Sequence, residues 1–122
     1  MSVETIIGIV EDDASQRSSL VRLVRSMGYA ARGFASAEEF MDSDAVSGCS
    51  CLITDVQMPG ISGIELTRFM TDRCSKLPVI VVTARSEPGL EISAIANGAA
   101  FFQRKPLDID LLVSNLRQAV GS

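Results

Sequence analysis

The chain has 122 residues and no histidine, which removes imidazole from every role it usually fills. Ser–His–Asp and Cys–His catalysis are excluded, and so are mixed Cys/His zinc sites. Whatever chemistry the protein performs must be built from carboxylates, hydroxyls, lysine and thiols. Also missing is any run of about 18 apolar residues able to span a bilayer. The segment before Ile6 has no basic stretch, and the apolar run after it stops at Glu11, so no signal peptide is expected. A soluble, cytoplasmic protein without a membrane partner follows. Basic clustering is absent too: eleven Lys and Arg are scattered against fifteen Asp and Glu, for a net charge of −4. This excludes the electrostatic footprint of a nucleic-acid binder, and any DNA contact would need another segment. The three cysteines, Cys49, Cys51 and Cys74, are too few and too odd in number for a disulfide framework or a thiolate metal site. They read as reduced thiols that serve as small apolar filler.

What is present is a rhythm. Five β-rich runs, Ile6 to Val10, Ala30 to Phe34, Cys51 to Thr54, Val79 to Val82 and Ala100 to Gln103, are each followed by a helical pattern. The first, third and fourth are nearly continuous in Ile, Val and Leu, as strands covered on both faces of a parallel sheet should be. The first helix starts near Ser15, carries Leu20, Val24 and Met27 on one face, and stops at Gly28. Ser36 to Glu39 and Ser62 to Glu65 each spell a capping box, opening the second and third helices, and Leu66, Phe69 and Met70 form the third helix's buried stripe. The fourth is expected to start near Pro88 and to bury Ile92, Ile95 and Ala96. Asp108 caps the fifth, with Leu112, Val113, Leu116 and Val120 toward the sheet. At this length the chain is one domain, residues 1–122: an α/β, doubly wound (βα)5 fold with a five-stranded parallel sheet.

Right-handed crossovers bring every strand's carboxyl end to one edge, and ligands bind there where strand order reverses. For the order 2-1-3-4-5 that point lies between the first and third strands. Glu11, Asp12 and Asp13 follow the first strand, Asp55 the third, Thr83 the fourth, and Lys105 with Pro106 the fifth. Each has an ordinary explanation alone: a solvated acidic loop, a turn aspartate, a strand-end hydroxyl, a surface lysine. Together they place phosphate-suited polar groups at four strand ends. Close carboxylate pairs repel by about 4 kcal/mol at 4 Å and an effective dielectric of 20. Lys105 offsets part of this, and an oxygen-preferring divalent cation is the better match.

These residues resemble a known family. Ile9 to Asp13, Leu52 to Gly63, Val79 to Ala84, Asn97 to Ala99 and Phe101 to Pro106 are similar to the motifs of response-regulator receiver domains, which have a flavodoxin-like fold. The likeness is to FixJ-type receivers that precede LuxR-type DNA-binding modules, and it covers nearly the whole chain. It implies that Asp55 accepts a phosphoryl group from a sensor histidine kinase. It further implies Mg²⁺ or Mn²⁺ held by Asp12, by Glu11 through a water, by Asp55 and by the backbone carbonyl of Gln57. Many members carry aspartate where Glu11 stands. Asp13 lies outside the set and reads as a helix-start charge. Thr83 and Lys105 would contact the phosphoryl group, and Thr83 with Phe102 would form the switch, Phe101 pointing to the other sheet face. A phosphorylation-dependent homodimer through the fourth helix, fifth strand and fifth helix is implied, with Pro88 and Gly89 available to rearrange the fourth helix's first turn.

In this reading the chain is a phosphoacceptor, not an enzyme acting on other substrates, and it controls an output such as transcription. The last residues, Gly121 and Ser122, suggest the N-terminal part of a longer transcriptional regulator; the alternative is a stand-alone receiver acting through protein contacts. A magnesium-dependent aspartyl-phosphate phosphatase of the haloacid-dehalogenase type would need a second aspartate where Gln57 stands. A flavodoxin-like carrier of FMN would need a hydroxyl- and glycine-rich loop where Glu11 to Asp13 stand. A degenerate receiver would lack part of the acidic, hydroxyl and lysine set.

Overall fold

The computed structural model describes residues 5–73 and 76–121, so the expectation for Cys74 lies outside the described residues. Five strands, β1 (Ile6–Val10), β2 (Ala30–Phe34), β3 (Cys51–Asp55), β4 (Val79–Thr83) and β5 (Phe101–Arg104), form one sheet in the order β2-β1-β3-β4-β5. All four pairings are parallel, with Val10 opposite Thr54, Asp55 opposite Val82, and Thr83 opposite Arg104. The third and fourth strands run one residue further than their apolar patterns suggest, so Asp55 and Thr83 are their last ladder residues. The helices are α1 (Ala14–Ser26), α2 (Ala37–Met41), α3 (Ala45–Gly48), α4 (Gly63–Arg73), α5 (Leu90–Ala96) and α6 (Ile109–Val120).

Alternation along the strands divides the interior into two cores. Ile7, Ile9, Ile53, Ile80 and Val82 meet Leu20 and Val24 of α1 and Leu112 and Leu116 of α6. On the other face Val10, Leu52 and Val81 meet Phe40 of α2, Leu66 and Met70 of α4, and Ala94 of α5. Burying each of the larger side chains contributes about 1.5–3 kcal/mol, and this fixes the sheet edge on which the polar residues stand. Met27, Phe69, Val113 and Val120 are only partly buried, and Asn115 occupies a buried position on α6. Cys51 is fully buried, which pushes its thiol up to about 12, and Cys49 is half-buried; both are free.

The second crossover differs from the simple βα rhythm. It holds two short helices, because the Ser43 hydroxyl donates to the Phe40 carbonyl at 2.7 Å and accepts from the Ala45 amide at 3.2 Å. Those local bonds compete with continuation of α2 and restart the chain as α3.

The fourth crossover departs further. Pro88 and Gly89 form a turn, with Gly89 as N-cap at φ +88°, and α5 begins only at Leu90. Over seven residues its inward side is set by Leu90 and fully buried Ala94. At 3.6 residues per turn, Ile92 and Ile95 then point away from the sheet. The expected burial of Ile92, Ile95 and Ala96 is therefore wrong: all three are exposed, Ile92 to 76% and Ile95 to 47%.

Candidate functional site

The carboxyl edge is tied together by backbone bonds that continue past the strands. The Glu11 amide donates to the Phe34 carbonyl at 3.0 Å, Val56 to Val82 at 3.2 Å, and Lys105 to Thr83 at 2.7 Å. Each reactive residue thus leaves its strand at a fixed place. Opposite the end of β3, α4 starts with a full capping box: Ser62 Oγ accepts from the Glu65 amide at 3.1 Å, and Glu65 Oε1 accepts from the Ser62 amide at 2.9 Å. Gly63, the next residue, donates its amide to the Val56 carbonyl at 2.8 Å and brings the helix start against the Asp55 backbone.

The structure brings the predicted acids together. One carboxylate oxygen each from Glu11, Asp12 and Asp55 lie within 4.8 Å of one another. Glu11 is buried, Asp55 half-buried and Asp12 exposed. Lys105 joins two of them, donating from Nζ to Glu11 Oε1 at 2.8 Å and to Asp55 Oδ2 at 3.2 Å. Burial pushes the Glu11 carboxyl above its ordinary range, against the opposing pull of Lys105 and of the Asp13 amide, which donates to Glu11 Oε2 at 3.1 Å. Desolvation lowers Lys105, but its bond to Glu11 and its attraction to Asp55 and Glu11 outweigh that, so its pKa is raised. Asp13 caps α1, accepting from the Gln16 amide at 2.9 Å, as expected of a helix-start charge.

A cleft of about 490 Å³ opens beside these acids, lined by Asp12, Asp55, Gln57, Thr83 and Arg85 among others. Thr83 is buried, and its hydroxyl oxygen accepts from the Arg85 amide at 3.0 Å, which leaves its own proton free to donate into the cleft. Phe102 packs with the core cluster that includes Ala94, and Phe101 with the opposite one, as strand alternation dictates.

Three further residues shape the site without having been picked out by sequence. Gln16 Oε1 accepts a third bond from Lys105 Nζ, and Arg17 donates to the Glu11 carbonyl at 2.8 Å. Both stand in the first turn of α1, whose start the acidic loop caps, and that placement was their available signal. Arg85 lines the cleft two residues beyond Thr83.

Three carboxylates with one lysine, which reaches two of them, leave an excess of negative charge on oxygen donors open to solvent on one side. The donor set fits a hard divalent cation, which takes oxygen ligands and keeps several waters. Without such an ion the carboxylates repel. Asp12→Asn is therefore expected to stabilise the protein by about 1 kcal/mol in chelator, seen as a rise of about 4 °C in melting temperature. Added Mg²⁺ is expected to stabilise the wild type, and the same variant should lose most of that gain. A melting temperature unchanged in chelator would show that the acids do not strain the fold.

Comparison with known proteins gives a consistent picture. Residues 7–117 match the family described as the response regulator receiver domain. The transcriptional regulatory protein FixJ of Azorhizobium caulinodans is 36% identical over 115 residues, covering 94% of this chain and 54% of that protein. The response regulator protein TmoT of Ectopseudomonas mendocina is 33% identical over 117 residues, covering 96% of this chain and 53% of that protein. The chain thus spans about half the length of the curated relatives it matches. Among solved structures, FixJ-N superposes with a TM-score of 0.85 at 28% identity over 97% of this chain and 94% of that one. The response regulator StyR gives 0.87 at 30% identity, over 97% of this chain and 60% of that one.

Proposed function

The chain belongs to the response regulator receiver domains, and from that membership and its acidic cleft we propose that it is a signalling switch phosphorylated on Asp55. The observation that carries this reading is the convergence of Glu11, Asp12 and Asp55 with Lys105 beside a cleft that Thr83 also lines. The donor is a phosphohistidine on a partner sensor kinase, and a kinase that draws on ATP places the exchange in the cytoplasm. An Asp55 carboxylate oxygen forms the new O–P bond while the P–N bond breaks, its electron pair leaving with the imidazole.

Phosphoryl transfer of this kind needs mainly positioning and charge neutralisation. Lys105 already rests on Asp55 and is placed to follow the negative charge onto the phosphoryl group. Thr83 offers a hydroxyl proton to a phosphoryl oxygen, its own oxygen being engaged by the Arg85 amide. Asp12, Asp55, the Gln57 carbonyl and, through water, Glu11 would hold Mg²⁺ or Mn²⁺. Both Glu11 oxygens already accept bonds from protein donors, which suits the indirect role. When bound, the ion supplies charge neutralisation at the phosphoryl oxygens. The chain catalyses only its own phosphorylation and dephosphorylation.

Thr83 and Phe102 form the switch, read out by packing because phenylalanine has no hydroxyl to donate. The output is transcription in a longer protein, in keeping with the regulators it resembles, and it passes through a homodimer across α5, β5 and α6. Exposed Ile92, Ile95 and Leu111 supply apolar surface on those elements.

The test is incubation with a small acyl phosphate and Mg²⁺, followed by intact-mass measurement and sizing. Wild type should gain one phosphoryl group and Asp55→Asn none, with a dimer appearing only in the phosphorylated sample. An undiminished gain on Asp55→Asn would remove Asp55 from its role.

A further inference from the structure

Lys105, already paired with Asp55, is not the only cation at the acidic site. It reaches Glu11 and Asp55 from the α1 side and lines a separate groove with Gln16, Leu20 and Ile109. Among the residues lining the acidic cleft, the cation is Arg85. Its guanidinium is turned to Glu87, with Nε donating to both carboxylate oxygens at 2.7 Å and one terminal nitrogen also bonded there. Both side chains are substantially exposed, 41% and 49%. Exposed ion pairs of this sort contribute little to stability, so Glu87 is a weak holder.

A phosphoryl group on Asp55 would be a stronger one. It carries a charge of about −1.5 to −2 and offers three acceptor oxygens, a match for the planar fork of arginine. The main chain at Arg85 is anchored on both sides. Its amide donates to Thr83 Oγ1, and its carbonyl accepts from Arg104, whose guanidinium stands 5.3 Å from the centre of the Phe102 ring. A change of partner therefore requires only the Arg85 side chain to swing.

Resting on the phosphoacceptor reading above, we propose that Arg85 is a phosphoryl-binding residue held in reserve by Glu87, exchanging that carboxylate for the phosphoryl oxygens once Asp55 is modified. Glu87 sets the threshold of the exchange. This assigns the β4–α5 loop a specific part in how long and how tightly the modified state is held.

Beryllofluoride, which binds a carboxylate oxygen as a phosphoryl analogue, separates the possibilities when titrated with Mg²⁺ and followed by ¹⁹F NMR. Arg85→Ala should weaken its binding about tenfold, and Arg85→Lys should recover part of the loss. Glu87→Gln should tighten binding severalfold, but only while Arg85 is present: the double variant should match Arg85→Ala. Wild-type affinity in Arg85→Ala, or a Glu87→Gln gain that persists without Arg85, overturns the inference while leaving the phosphoacceptor reading intact. Failure of wild type to bind beryllofluoride at all, or equal binding by Asp55→Asn, overturns both.

Discussion

Gly63→Ala is expected to cost about 3 kcal/mol of stability and to slow phosphorylation of Asp55 at least tenfold. A Cβ built on Gly63 would lie 1.8 Å from the Asp55 carbonyl oxygen, 2.7 Å from its carbon and 3.1 Å from Thr54 Oγ1. Two of these neighbours are backbone, so no rotamer change can relieve the clash. Either α4 retreats, straining the Gly63 to Val56 hydrogen bond, or the end of β3 yields and carries the Asp55 carboxylate off its position beside Lys105. Urea unfolding and the rate of mass gain from acyl phosphate measure the two consequences. Gly48→Ala provides the contrast, since nothing lies within 4 Å of its Cβ position; it should leave the urea midpoint essentially unmoved. Equal midpoints for the two variants would mean that the close approach of α4 to β3 is not a constraint.

Lys105→Met is expected to cost about 3 kcal/mol at pH 7, the lower end of the range for breaking a buried ion pair, because Lys105 keeps some contact with water. The lost cation leaves Glu11 buried, facing Asp55 without compensation. The pH dependence identifies the cause. Glu11 already has a folded-state pKa above its ordinary 4.5, chiefly through burial, so the folded protein binds a proton there more readily than the unfolded chain. Its penalty is absent below pH 4.5 and grows as pH rises through the folded value. Lys105 has the opposite consequence: its folded pKa is raised above 10.5, so its contribution is complete below that pH and disappears as pH rises through the folded value. The variant should therefore lose the alkaline step of the wild type and show a deeper decline upward from about pH 4.5. Melting curves from pH 4 to 11 measure both, and a constant difference across that range would contradict the ion-pair account.

The legible part of this protein was the part governed by period and by strand ends. The two-faced sheet and the grouping of Glu11, Asp12, Asp55, Thr83 and Lys105 follow from apolar runs, turn residues and right-handed crossovers, whereas the strand order 2-1-3-4-5 comes from a common order of such sheets and not from the residues; the structure has both. The capping boxes at Ser36 and Ser62 were equally visible. At Ser62 the reciprocal bond is made in full, whereas Glu39 reaches past Ser36 to the Ala35 amide at 3.1 Å. The less legible parts depend on helix phase and on side-chain reach. A seven-residue α5 has too few turns for its stripe to declare a face, and the prominent isoleucines there are not the residues that pack. Gln16 and Arg85 matter through where long polar side chains end, which residue spacing does not encode.

Ile92 and Ile95 on α5 have a consequence for evolution as well as for folding. Each leaves unrealised much of the 1.5–3 kcal/mol that burying a large aliphatic side chain typically contributes, roughly speaking, and neither fills a space in the core. The fold places little constraint on these two positions. What they are is free to be set by whatever touches them, so this face can change its allegiance in a few substitutions while the sheet and the phosphate edge beneath it stay as they are.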